Sequence, residues 1–117
     1  MSTNRRSGIR VPARLLINQY IREKHRTVIS FNLSPEGIYV YQRPRDLVRT
    51  VSLEFNLPGH QETIWAKGEI RYAGRFGEYQ GTGIAFTAMA NRHWDWIQDW
   101  VIESRLQEMR QALRLAA

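Results

Sequence analysis

Two short polar segments of this chain hold residue types that recognise phosphates and nucleobases. Near the start stand Arg5, Arg6 and Arg10, the last two in an R-x-x-x-R spacing. Further on, Asn32-Leu33-Ser34-Pro35-Glu36-Gly37 forms an N-x-S-x-x-G pattern. A guanidinium fork donates two parallel hydrogen bonds to a phosphate or to the O6/N7 edge of guanine, and its plane stacks on a ring. Asn32 and Ser34 offer short hydrogen-bonding side chains, and Gly37 permits either a positive φ or a close approach of backbone. The same residues equally serve a tight turn that satisfies its own backbone. The two spacings differ in information. R-x-x-x-R occurs six times, against about two matches expected by chance at this arginine content. For N-x-S-x-x-G, with Asp allowed at its first position, chance supplies about 0.03 matches. The combination carries the signal.

The charge distribution points the same way. The chain has 117 residues and a net charge of +6, and arginine outnumbers lysine 15 to 2. Residues 1–26 by themselves carry +6, so the rest is neutral. A basic arm built from forked, planar cations suits a ligand that bears phosphates or bases. The length allows one domain with one core. Zero cysteines exclude disulfide frameworks, thiolate metal sites and cysteine nucleophiles. His25, His60 and His93 are scattered, and neither an H-E-x-x-H nor a P-loop motif occurs. No carboxylate pair reads as acid and base, so no catalysis, metal or cofactor is expected. No secretory signal or membrane-length apolar run is legible, and the expected location is the cytoplasm.

The elements that must position these residues are read from periodicity. Residues 1–10 are polar and arginine-bearing, and read as a flexible arm. Val11, Ala13, Leu15, Ile17 and Ile21 then alternate as one strand, interrupted by Gln19. Thr27 to Phe31 is a second strand, Asn32 to Gly37 a turn, and Ile38 to Tyr41 a third strand. Two clear alternating runs follow: Val51, Leu53, Phe55 and Leu57; then Ile64, Ala66, Gly68, Ile70 and Tyr72. In the second run Trp65, Lys67, Glu69 and Arg71 fall on the wet face. Ala73 to Tyr79 reads as a connection and Gln80 to Thr87 as the sixth strand. From Asn91 to Leu115 there is no Gly or Pro, and the apolar spacing becomes 3–4. That is one helix of about 25 residues, roughly 37 Å long. Its Trp94, Ile97 and Val101 stripe is expected to dock, with Trp96 and Trp100 on a separate face. Its Ile102, Leu106, Met109, Leu113 and Ala116 stripe is expected to project toward another helix or subunit. The fold class is mainly β: a six-stranded antiparallel barrel over 11–117 with a long C-terminal α-helix.

On these residues the chain resembles the PilZ domain family, bacterial receptors for cyclic di-GMP. The likeness runs from Arg5 to about Leu106 and includes Gly81-Thr82-Gly83-Ile84-Ala85-Phe86, which resembles the family's last barrel strand. It implies that Arg6 and Arg10 form the arginine pair, and that Asn32, Ser34 and Gly37 form the second motif. Asn32 stands where Asp is more often drawn. A basic residue before the pair, here Arg5, accompanies two intercalated ligand molecules in that family. The implied role is a non-enzymatic cyclic di-GMP receptor whose arm closes over the barrel and alters a surface for a protein partner. A second copy meeting the C-terminal helix is the other candidate partner. Two further readings stand beside it. One is a PilZ-like adaptor that works by protein contact alone, and the other a single-stranded nucleic-acid barrel with Trp65 as stacking platform. The intact motifs favour the receptor, which makes nucleic acid the less expected partner.

Overall fold

The computed structural model describes residues 8–43 and 49–116, so Arg5 and Arg6 lie outside the described residues. Its strands are β1 (Val11–Pro12), β2 (Leu16–Ile21), β3 (Lys24–Ser34), β4 (Gly37–Tyr41), β5 (Thr50–Phe55), β6 (Ile64–Phe76) and β7 (Tyr79–Met89), followed by α1 (Asn91–Ala116). Strands β3-β2-β5-β6-β7-β4 pair in that order, and β3–β4 pairing closes the ring. All pairings are antiparallel. The expected six-stranded barrel with a terminal helix is therefore the observed one. β1 stands outside the closure, pairing Val11 with Leu33 and Pro12 with Asn32.

Alternation supplies the core. Ile17, Leu33, Ile38, Val40, Val51, Leu53, Phe55 and Ile64 point into the barrel, and Ile97 and Val101 of α1 join the same cluster. Each such side chain contributes about 1.5–3 kcal/mol on leaving water. Gln19, which breaks the apolar run, is fully buried and forms a reciprocal amide pair with Gln42, at 3.1 and 2.7 Å. Paired in this way, the buried Gln19 amide and the half-buried Gln42 amide keep their hydrogen bonds.

Two departures from simple alternation place the polar residues. The run from Val11 to Ile21 is two strands, because the buried Ser30 hydroxyl bridges the gap. Its Oγ accepts from Leu15 N at 2.9 Å and donates to Ala13 O at 2.6 Å. Next, a register shift between Ser30 and Asn32 inserts Phe31 as an extra residue in β3. Such a bulge reverses the alternation. Val28 and Ser30 are buried, but beyond the bulge Leu33 takes the inner side and Asn32 is half-buried beside Tyr39. The strand also runs further than expected: Asn32 to Ser34 belong to β3, and the turn is only Pro35 and Glu36.

β6 and β7 form a longer hairpin than their composition suggests. The segment expected as a connection, Ala73 to Tyr79, is strand up to Phe76, with Gly77 (φ 63) and Glu78 making the turn. A register shift between Ile70 and Tyr72 leaves both Arg71 and Tyr72 exposed. Tyr72, expected on the dry face with Ile70, is thereby turned out of the core. On another part of the outer surface, Trp65 is exposed and stacks on Tyr20, which stacks on His25.

α1 begins at the expected residue. His93, Ile97 and Val101 are buried, while Trp94, Trp96 and Trp100 pack partly buried against the core. Ile102, Leu106, Met109 and Leu113 are exposed. Among the described residues, no helix is long and apolar enough to cross a membrane. The start of α1 is pinned by Glu62, whose Oε2 lies 2.8 Å from both His93 Nε2 and Arg92 Nε. Trp65 N donates to His93 Nδ1, so Nε2 carries the proton offered to Glu62. The bond to His93, then that to Arg92, lowers the Glu62 pKa below the usual carboxylate value. A depressed folded-state pKa stabilises the fold above the unfolded carboxylate pKa, and this contribution is lost as pH falls through the folded value. Glu62→Gln should therefore lower the thermal midpoint at neutral pH, and the gap to the unsubstituted protein should close on acidification. Unfolding followed by circular dichroism across pH checks this; a gap independent of pH contradicts it.

Candidate functional site

The corner between β3 and β4 is shaped by one hydroxyl. Ser34 is 1% exposed; its Oγ accepts from Glu36 N at 3.1 Å and Gly37 N at 3.2 Å, and donates to Gly37 O at 3.4 Å. These bonds replace the backbone ladder where the chain reverses. Gly37 lies outside the set of positive-φ glycines, so close approach is what requires it. A Cβ there would run into the Ile84 carbonyl oxygen and Ala85 Cα of β7. From α1, Trp94 Nε1 donates to Pro35 O at 3.0 Å and ties the helix to this corner.

Beside the corner, three layers stack outward from β7. Gly83 pairs with Tyr39 across β4–β7, and a Cβ on Gly83 would stand 2.6 Å from Tyr39 Cε1. The missing side chain is what lets the ring lie down on the strand. Over the ring sits the Arg10 guanidinium, 4.5 Å from its centroid. Arg10 Nη1 also donates to Asn32 Oδ1 at 2.8 Å, across 22 positions of sequence. The arm's last residue is thus joined side chain to side chain with the first residue of the second motif. Its backbone is held too: Arg105 Nη2 of α1 donates to Arg10 O at 2.7 Å.

The result is a groove of about 120 Å³. It is lined by Arg10, by Glu36, Gly37 and Tyr39 of the corner and β4, by Arg71 and Tyr72 of β6, and by Gly83 and Ala85 of β7. Arg71 is largely exposed, with Nη2 3.6 Å from Glu69 Oε1. Two arginines and two tyrosines thus line one groove in which Gly37, Gly83 and Ala85 leave room for backbone approach. Such a site can hold a planar ring between cations and rings, and meet its phosphates with charge-assisted bonds.

Of the sequence-named residues, Arg10 and Gly37 line the groove, Asn32 is bonded to Arg10, and Ser34 lies buried beneath as the brace of the corner. Tyr39, Arg71, Tyr72 and Arg105 were not singled out for this site. Tyr39 had a sequence signal: small residues at 81, 83 and 85 on one strand face mark a surface on which rings can lie. Arg71 and Tyr72 had none, because their placement depends on the β6 register shift. Among the described residues, no group of His, Cys, Asp or Glu is placed to hold a metal ion.

A closed six-stranded antiparallel barrel, with one strand outside and a C-terminal helix, is the PilZ fold. No protein-family model and no curated protein matches the chain. Solved structures do match it. The inhibitor of motility MotI/DgrA from Bacillus subtilis superposes with a TM-score of 0.75 at 18% identity, over 85% of this chain and 50% of that one. The PilZ domain of CeSA, from a cellulose-synthesising bacterium, gives 0.59 at 19% identity, over 80% and 95% respectively. The Borreliella burgdorferi PlzA protein, solved in complex with cyclic di-GMP, gives 0.62 at 9% identity, over 96% and 55%. This chain thus spans about half the length of two of the three.

Proposed function

We propose that this chain is a PilZ-type receptor for cyclic di-GMP, binding the nucleotide without turning it over. One observation carries the reading. Arg10 and Asn32, from the two motifs named on sequence alone, are bonded to each other at the rim of one groove. Support of a coarser kind comes from the shared fold, since PlzA has that fold and is solved with cyclic di-GMP. In this reading a guanine enters the groove. Arg10 gives up Asn32 to fork onto the O6/N7 edge or a phosphate, Arg71 meets the opposite face, and Glu36 accepts from the donor edge of guanine. Arg5 and Arg6 bring further positive charge from the arm. Ser34 and Gly37 act by holding the corner open to backbone approach. No cofactor takes part. The receptor works in the cytoplasm, and a protein partner reads the closed arm.

Titration calorimetry tests this. Saturable heat is expected with cyclic di-GMP and none with cyclic di-AMP, and two molecules per chain would match the role implied for Arg5. Silence with cyclic di-GMP, together with binding that grows with RNA length, would transfer the function to the nucleic-acid reading. Gly83→Ala supplies an internal check. Its new methyl group lifts the Tyr39 ring, and Arg10 with it, so affinity should fall roughly tenfold while the barrel stays folded. Unchanged affinity in the same calorimeter would remove the ring stack from the site.

A further inference from the structure

The exposed half of α1 presents Ile102, Leu106, Met109 and Leu113, with Ala116 beyond, at alternating spacings of four and three. This is the two-in-seven seam of a paired helix, over about 21 Å of length. It is also where α1 has left the barrel, since its buried residues end at Val101. Both the occupant and its direction follow from the charges beside the seam. In heptad terms Glu103 and Arg110 occupy the same flank, one turn-pair apart, and their side chains meet at 3.5 Å while both remain exposed. Arg105 lies on the opposite flank.

We infer that α1 pairs with α1 of a second copy of this chain in an antiparallel two-helix coil. In that arrangement Ile102 layers on Leu113 of the second copy and Leu106 on Met109, and the two-fold axis repeats both contacts. The flank then sets Glu103 against Arg110 of the second copy, and Arg110 against its Glu103. One sequence complements itself, which is what an isologous contact requires. A parallel pair would instead bring Arg105 against Arg110 of the other copy, like charge on like charge. The apolar seam alone allows either direction, so the charges decide.

Four apolar layers lie at the small end of specific interfaces, so association is expected at protein concentrations on the order of tens to hundreds of micromolar. The experiment uses the full chain without nucleotide, so its outcome is separate from the receptor reading. Sedimentation velocity over a concentration series should show a monomer–dimer equilibrium. Leu106→Glu should abolish it. Glu103→Arg and Arg110→Glu should each weaken it roughly tenfold, and an equimolar mixture of the two single variants should restore dimers, because each then meets its complement. Circular dichroism verifies that the exposed substitutions leave the helix intact. A wild-type chain that stays monomeric throughout overturns the proposal, whether another protein or the residues before Gly8 cover the seam. A mixture that associates no better than its components overturns the antiparallel pairing.

Discussion

Arg10→Ala should cost cyclic di-GMP binding on the order of a hundredfold and leave the barrel folded. The side chain lines the groove, with a hydrogen bond to Asn32 and a stack on Tyr39. Losing these in the free protein removes about 1 kcal/mol for the hydrogen bond and about 0.5–1 kcal/mol for the stack. The Arg105 bond is made to the Arg10 backbone oxygen, so it survives the substitution. In the complex the same guanidinium makes charge-assisted bonds worth about 1.5–3 kcal/mol each; two of them, less about 1 kcal/mol for the Asn32 bond given up on binding, leave a loss on the order of a hundredfold at about 1.4 kcal/mol per tenfold. Arg10→Lys separates charge from geometry. It keeps the positive field but not the planar fork, and should recover only part of the affinity. Calorimetry with thermal unfolding on the same samples checks both halves. Full affinity in Arg10→Ala would exclude this residue from ligand contact.

Gly37→Ala should be the more damaging change to the fold. The two critical glycines differ in what a methyl group would strike. At Gly83 the obstacle is the edge of the Tyr39 ring, which can swing away. At Gly37 it is the backbone of β7, namely the Ile84 carbonyl and Ala85 Cα. Backbone cannot rotate aside without loosening the β4–β7 ladder, where Gly37 pairs with Ala85 and Phe86 N donates to Glu36 O at 2.8 Å. Overpacking of this kind costs about 1–3 kcal/mol, a fall of roughly 5–15 °C in the unfolding midpoint. Because the opened corner also lines the groove, ligand affinity should fall with it. A variant as stable as the parent would show that β7 accommodates the methyl group.

The sequence made the regular parts of this molecule readable. Val51 to Leu57 and Ile64 to Ala66 alternate cleanly because one face of each strand meets the core and the other meets water. α1 was bounded within a residue, since its period changes sharply at Asn91 and no Gly or Pro interrupts it. The irregular parts were hidden for a common reason: they depend on which strand lies alongside. Neither the Phe31 bulge, which turns Asn32 toward Arg10, nor the β6 register shift, which exposes Arg71 and Tyr72, has a local composition. The Ser30 bridge looks like any serine in a strand. The Ala73 to Phe76 stretch is too poor in apolar residues to announce a strand, yet β7 pairs with it as far as Tyr79. Arg10, Asn32, Ser34 and Gly37 were legible through spacing, whereas Arg105 reaches the arm from 95 positions away and could be found only in three dimensions.

The most direct test of the groove as the nucleotide site is a map of backbone amide resonances during addition of cyclic di-GMP. The largest changes should fall on Arg10, Asn32, Gly37, Tyr39, Arg71 and Gly83, with smaller ones at Arg105. Changes centred instead on Tyr20, His25 and Trp65, or a spectrum that does not respond to the nucleotide, would contradict it.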